Sequence, residues 1–199
     1  MNWIQLLSTL DASTKFCQMN NKKWIALFSQ TGSELQAVCK RINKWPDLVI
    51  TNAKQVNFDD WKHCKIAHVS NKDVLKSSFY KDIFEQCRQS DGELFVTLHG
   101  WLRIVPDDVC EQYQIYNGHP GDIVKYPQLK GKDPQQKAFD LKLFSSGCII
   151  HKCTKELDGG PIALREEVII SDCKTSNEVV DKLRKTSIEM WIKLINALY

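Results

Sequence analysis

The 199-residue sequence is defined first by what it lacks. No stretch approaches the ~18 consecutive apolar residues that a membrane helix needs, so no spanning segment is expected. The opening residues "MNWIQLLSTLDASTKF" have neither a basic leader nor a long apolar run, which argues against a secretory signal. Eight cysteines (Cys17, Cys39, Cys64, Cys87, Cys110, Cys148, Cys153 and Cys173) are scattered without a CxxC pair. That pattern suits free thiols in a reducing compartment rather than a disulfide framework, and a cytoplasmic location is expected. No internal repeat or low-complexity tract occurs. An excess of one charge is also missing: 27 Lys and Arg face 24 Asp and Glu, a formal net charge of +3. A polynucleotide binder usually carries a clustered basic stripe, so nucleic acid is not an expected partner, whereas an anionic small molecule stays open. "LKGKDP" holds a Gly-Lys pair without the GxxxxGK[ST] spacing, which excludes a P-loop.

What is present reads as a soluble globular chain, with 43% apolar and 26% charged residues. The length supports one sizeable core. Trp3, Ile4, Leu6, Leu7 and Leu10 can form one face of a short helix, and "CQMNNKK" follows as a polar connector. We therefore read residues 1–22 as an N-terminal extension, either a docked helix or a partner-binding arm, and residues 23–199 as a single domain. Within that domain short apolar runs alternate with helical periodicity. "WIALFS", "DLVITN", "KIAHVS" and "ELFVTLHG" suit buried strands. Leu35, Val38, Cys39 and Ile42 have helical spacing. So do Val74, Phe79, Ile83 and Cys87, with Asn71 or Asp73 as the cap. Asp133 and Pro134 can open a helix running from Gln135 to Leu143. "GCIIHKCT" and "ALREEVIIS" look like two strands joined by a tight turn. Thr175 or Ser176 opens a last helix with Val179, Val180, Leu183, Ile188, Trp191, Leu194 and Leu198 on its apolar face. The order predicts an α/β fold: a mostly parallel central sheet flanked by helices, then an antiparallel strand pair and a closing helix.

Such sheets place ligands at the carboxyl ends of their strands, which draws attention to three loops: "SQTGSE", "HGWLRIVP" and "NGHPG" after the short run "YQIY". In the first, Thr31, Gly32 and Ser33 are small residues at a helix N-terminus, where backbone amides receive anions. Glu34 brings negative charge to the same place, and a complete GxGxxG is lacking. In the third, Asn117 and His119 are two apart on an extended segment and project to one side. A histidine exchanges protons near neutral pH, and an asparagine amide can donate to a developing oxyanion. Asp158, on the "ELDGGP" turn, could orient that histidine. The set would suit acyl transfer to an amine; a lone Asn-x-His is more often a turn with satisfied side chains. Cys148, His151 and Cys153 spell C-x2-H-x-C. On a strand they do not converge as a tetrahedral zinc site requires, and a packed strand without metal is expected.

The order "LHGWLRIVP…NGHPG…KYPQLKG…GCIIHKCTKELDGGPIAL" resembles the folate-dependent formyltransferases, most closely the phosphoribosylglycinamide formyltransferase type, from about Trp24 to the final helix. The resemblance implies a Rossmann-like formyltransferase fold, 10-formyltetrahydrofolate as co-substrate and a small-molecule amine as acceptor, with no metal; a homodimer is compatible with it. It implies that Asn117 binds the formyl oxygen, that His119 is the acid–base group, and that Asp158 holds His119 charged. Arg103, Ile104 and Val105 would form one pterin wall and Cys153, Thr154, Lys155, Glu156 and Leu157 the other. Thr31, Gly32, Ser33, Glu34, Gly118, Pro120 and Glu189 would meet the acceptor. The departures fall on the acceptor side. Gln30 and Glu34 replace a glycine and an asparagine of the family's phosphate turn, and Gly121 replaces a serine. Ser187 stands near the family's acceptor-contacting glutamate, with Glu189 two residues on. Glycinamide ribonucleotide is the leading acceptor expected. An amino-sugar nucleotide, another modified nucleotide or folate binding without turnover are the alternatives. Methionyl-tRNA suits the reading less, because those enzymes add a C-terminal RNA-binding domain and this chain ends before one.

Overall fold

The computed structural model of the chain describes residues 22–88 and 92–199. The amphipathic segment at residues 3–10 lies outside them. Seven strands form one sheet: β1 (Lys22–Phe28), β2 (Leu48–Thr51), β3 (Lys65–His68), β4 (Glu93–Leu98), β5 (Gln114–His119), β6 (Ser145–Lys152) and β7 (Ile162–Ile169). Their order is β3-β2-β1-β4-β5-β6-β7. The first five run parallel, while β6 is antiparallel to both β5 and β7. Five helices join them: α1 (Ser33–Ile42), α2 (Ser77–Arg88), α3 (Asp107–Gln112), α4 (Pro134–Asp140) and α5 (Ser176–Leu198).

The apolar runs of the central strands are explained by burial on both faces. In β1, Trp24, Ala26 and Phe28 enter a core with Leu35 of α1 and Met190, Trp191 and Ile195 of α5. Ile25 and Leu27 enter a second core with Tyr80 and Phe84 of α2 and Val109 of α3. The expected parallel βα order, antiparallel strand pair and closing helix are all present. Among the described residues no helix is long and apolar enough to cross a membrane.

Several local expectations are corrected. "NGHPG" is not a loop throughout, because β5 continues through Asn117, Gly118 and His119. The helix expected from Asn71 or Asp73 is broken: residues Asp73–Leu75 form a 3-10 turn, Lys76 is extended, and α2 starts at Ser77. Ser70 closes that turn by accepting from the Asp73 amide, and the Tyr80 hydroxyl donates to the Val74 carbonyl (3.0 Å) across the break. Asp133 occupies the N-cap position of α4 with φ 54 and makes no side-chain cap. That helix stops at Asp140 rather than Leu143, where Lys142 turns left-handed (φ 50) and the Leu143 amide donates back to Ala138 O (3.1 Å). Thr175 does cap α5, accepting from the Glu178 amide (3.3 Å). The buried stripe of α5 takes in Ser187, Met190 and Ile195 and leaves Val180 exposed. Helix α3 had no signal in the sequence, being only six residues long.

Candidate active site

The register of β5 against β6 builds the site. Asn117 and His119 alternate on β5, so they share a side, and Asn117 pairs with His151 across the ladder. The turn after β6 brings Asp158 to them. Its carboxylate lies 3.5 Å from His119 Nδ1 through Oδ2, and 3.5 Å from both Asn117 Nδ2 and His151 Nε2 through Oδ1. Asp158 holds a left-handed backbone (φ 51). A second loop closes over the group. The Leu129 carbonyl sits 2.9 Å from His119 Nε2, and the Gly131 amide donates to Asp158 Oδ2 at 2.9 Å. His119, His151 and Asp158 are buried, and Asn117 is half-buried.

A carbonyl only accepts, so His119 carries a proton on Nε2, while its Nδ1 faces the Asp158 carboxylate. Likewise His151 Nδ1 donates to the Lys152 carbonyl (3.1 Å), and its Nε2 accepts from the Asn117 amide (3.2 Å). Burial pushes the His119 pKa below the ordinary histidine value of 6.5, more than the Asp158 carboxylate and the Leu129 carbonyl raise it. At pH 7 that direction favours the neutral imidazole in the resting protein, with Asp158 placed to stabilise its charged form. For Asp158 burial acts upward, but the His151 and His119 rings and the Gly131 amide outweigh it, so its pKa is lowered and it stays a carboxylate. The arrangement is a base with one open nitrogen beside an anion that stabilises its protonated form, next to an amide donor.

The structure brings Asn117, His119 and Asp158 together as the sequence implied; other expected site residues have different surroundings. Gly118 faces the opposite way, where an added Cβ would meet the Trp191 indole at 2.9 Å. Pro120 continues from His119 and is half-buried. Gly32 caps α1 with φ 66, and a Cβ there would lie 2.6 Å from the Trp61 ring, so packing and backbone conformation require this glycine. The Thr31 hydroxyl donates to Ser33 Oγ (2.9 Å). The Arg103 guanidinium grips Asn71 Oδ1 through Nε (3.1 Å) and Nη2 (2.7 Å), fixing the loop after β4. That loop leaves Leu102 and Ile104 exposed, by 58% and 73%, while Val105 is buried. Facing residues 153–157 start at Cys153, which packs with Cys110 and Val105, and carry Leu157, 62% exposed. Thr154 donates to the Glu156 carbonyl, Glu156 pairs with Lys130 (3.0 Å), and Lys155 is exposed. Glu189 is not at the site: it is paired with Arg41 on the exposed surface of α5 and α1. Two residues apart on a helix project to nearly opposite faces, so Ser187 points inward instead and hydrogen-bonds Glu34. Cys148, His151 and Cys153 have three separate partners, the Cys148 thiol donating to Leu183 O (3.1 Å).

The formyl transferase family model matches residues 22–195. The chain belongs to this family. It is 37% identical over 131 residues to the methionyl-tRNA formyltransferase of Thermotoga neapolitana, covering 66% of this chain and 35% of that protein. It is 26% identical over 125 residues to the phosphoribosylglycinamide formyltransferase of Bacillus subtilis, covering 62% of each. The chain thus spans less than two thirds of the length of these curated relatives. The crystal structure of phosphoribosylglycinamide formyltransferase from Campylobacter jejuni superposes with a TM-score of 0.75 at 19% identity, over 89% of this chain and 98% of that one. At that identity the likeness speaks for the fold, and the formyl transferase architecture is what the sheet order displays.

Sequence reasoning missed several groups in this site. Leu129 O and Gly131 N–H are backbone atoms, and no residue type announces them. His151, expected only as part of a packed strand, takes the Asn117 amide directly; the antiparallel register is what reveals this. Gly160 has a clear structural duty. An added Cβ would lie 1.8 Å from the Lys152 carbonyl oxygen, in the turn that carries Asp158. Gly160→Ala is expected to shift that turn and slow formyl transfer on the order of tenfold to a hundredfold, measured as kcat. An unchanged kcat would show that the turn absorbs the methyl group without moving Asp158.

Proposed function

We propose that the chain transfers a formyl group from 10-formyltetrahydrofolate to a primary amine, at the centre formed by Asn117, His119 and Asp158. The observation that carries this reading is the buried His119 imidazole with its Nδ1 facing the Asp158 carboxylate at 3.5 Å, one residue pair along β5 from an amide donor. The exposed apolar side chains Leu102, Ile104 and Leu157, on two loops tied by Cys110 and Cys153, suit a flat heteroaromatic ring, and backbone groups of residues 103–105 and 153–157 would hold its polar edge. The bound donor supplies an activated formyl group. Asn117 turns its amide N–H from His151 to the formyl oxygen as negative charge develops there. His119 Nδ1 takes the proton that the attacking amine releases, and Asp158 stabilises the resulting imidazolium. The same proton is then available to the leaving nitrogen.

Glycinamide ribonucleotide is the first acceptor to test, because the solved structures bearing its enzyme's name share this fold across most of both chains. A different amine, such as an amino-sugar nucleotide or a modified nucleotide, is the second reading, and the carboxylate of Glu34 favours it. Methionyl-tRNA belongs in the same panel, since the 37%-identical relative carries that name. The test is amine-dependent release of tetrahydrofolate from 10-formyltetrahydrofolate across these acceptors. Donor binding without release in any of them would leave a folate-binding module and end the transfer reading.

The site also sets a pH dependence. A depressed His119 pKa means that the base form persists as pH falls through 6.5. The kcat/KM for transfer should therefore be flat at neutral pH and fall only below 6.5, as His119 protonates. An acid limb centred at or above 6.5 in a pH–rate profile would contradict the burial of this ring. The same sign applies to stability: the unfolded chain binds the proton first, so this contribution is full above 6.5 and is lost as pH falls towards the folded pKa.

A further inference from the structure

The sheet order places β2 and β3 on one side of β1, and β4 to β7 on the other. Winding therefore reverses between β1 and β4, and doubly wound sheets take ligands in the crevice outside the strand ends at such a point. Here the backbone is stitched across it. The Ser29 amide donates to Gly100 O (3.2 Å), and the Leu102 amide to Ser29 Oγ (2.8 Å). A line of side chains runs from the core to this crevice. Trp24 Nε1 donates to Thr97 Oγ1 (2.8 Å), Thr97 Oγ1 lies 3.0 Å from His99 Nε2, and His99 Nδ1 lies 3.2 Å from Glu34 Oε2. The indole only donates, so Thr97 Oγ1 accepts from it while also contacting His99 Nε2. A carboxylate only accepts, so His99 donates from Nδ1 to Glu34. Ser187 adds a hydrogen bond from α5, and Arg184 of the same helix is the cation acting on it. Burial raises the Glu34 pKa, but these partners outweigh it and bring it below the ordinary carboxylate value. The His99 side chain is fully buried, whereas that of Glu34 is 24% exposed, so Glu34 is the end of the line that meets solvent.

The same wall reaches the formyl-transfer centre. The His99 ring packs against Trp191 with centroids 4.4 Å apart. Trp191 lies against Gly118, the residue between Asn117 and His119. We propose that Glu34, fixed by His99 and Ser187, selects the acceptor: its carboxylate receives an ammonium or hydroxyl group and turns away a phosphate ester. This rests on the reading that an acceptor amine is formylated at Asn117 and His119. The backbone amides of the first turn of α1 would otherwise favour an anion in this crevice. Glu34 already supplies negative charge there, and a like charge brought against it is disfavoured.

Two measurements decide it. Glycinamide riboside and glycinamide ribonucleotide differ only in the phosphate. The wild-type chain is expected to favour the riboside in kcat/KM by about tenfold or more, the discrimination a like-charge contact supplies. Glu34→Gln, which keeps the shape and removes the charge, should abolish that preference. The second measurement needs no turnover: inorganic phosphate titrated by calorimetry should show no saturable binding to wild type and gain it in Glu34→Gln. A wild-type preference for the ribonucleotide, saturable phosphate binding by wild type, or a variant that changes neither readout would overturn the proposal. Should Glu34→Gln fail to fold, the two wild-type results still decide. Transfer to neither amine would count against the formyl-transfer reading, and the phosphate titration would then judge Glu34 alone.

Discussion

His119→Ala should lower kcat for formyl transfer by roughly 10²- to 10⁴-fold, the range typical of a positioned acid–base group, with donor binding essentially unchanged. The imidazole is buried between the Leu129 carbonyl and the Asp158 carboxylate. Its removal deletes the base at Nδ1 and leaves Leu102, Ile104 and Leu157 in place. Loss of the ring also leaves Asp158 with the Gly131 amide and the His151 edge as partners, so the turn is expected to hold. Steady-state kinetics alongside a folate-binding titration separate the two effects. A variant that turns over at near-normal rate would refute the role, and one that loses donor binding equally would make the residue structural.

The second large effect is expected at Asn117. Asn117→Ala should reduce kcat about 10²- to 10³-fold, the cost of one preorganised donor to a developing oxyanion. The effect should appear in kcat rather than in KM, because charge on the formyl oxygen develops during reaction. In the resting protein the amide donates to His151 Nε2, so the variant removes that buried contact and some stability is lost with it. Asn117→Asp sharpens the distinction. It keeps the size of the side chain but removes the donor and sets a second carboxylate beside Asp158. It should be at least as slow as the alanine variant. A loss confined to KM in either variant would point to ground-state binding instead.

Much of the architecture was legible because its physics is local. "WIALFS", "DLVITN" and "ELFVTLHG" are apolar in their centres since β1, β2 and β4 are buried on both faces. The two-residue spacing of Asn117 and His119 announced a shared side on an extended segment. Shorter or non-local features were not legible. Helix α3 is too short to show a period, and the break before α2 depends on Ser70 capping a 3-10 turn over the buried Val74. At the site, the sequence offered Glu189 near the right place on α5, but the phase of the helix turns Ser187 inward and leaves Glu189 with Arg41. His99 belonged to a loop already under scrutiny, yet only the neighbouring strand ends show that it holds Glu34. The protonation state of His119 could not be read from residue types, because it follows from burial and from a backbone carbonyl ten residues away.

The central claim is that this chain moves a formyl group onto an amine. The most direct measurement uses 10-formyltetrahydrofolate carrying ¹³C in the formyl group, mixed with the wild-type chain and the acceptor panel, and follows the label by NMR. A new N-formyl resonance on the amine is expected, strongly reduced with His119→Ala. Label that stays on the donor or appears only as free formate, with every acceptor, would contradict it.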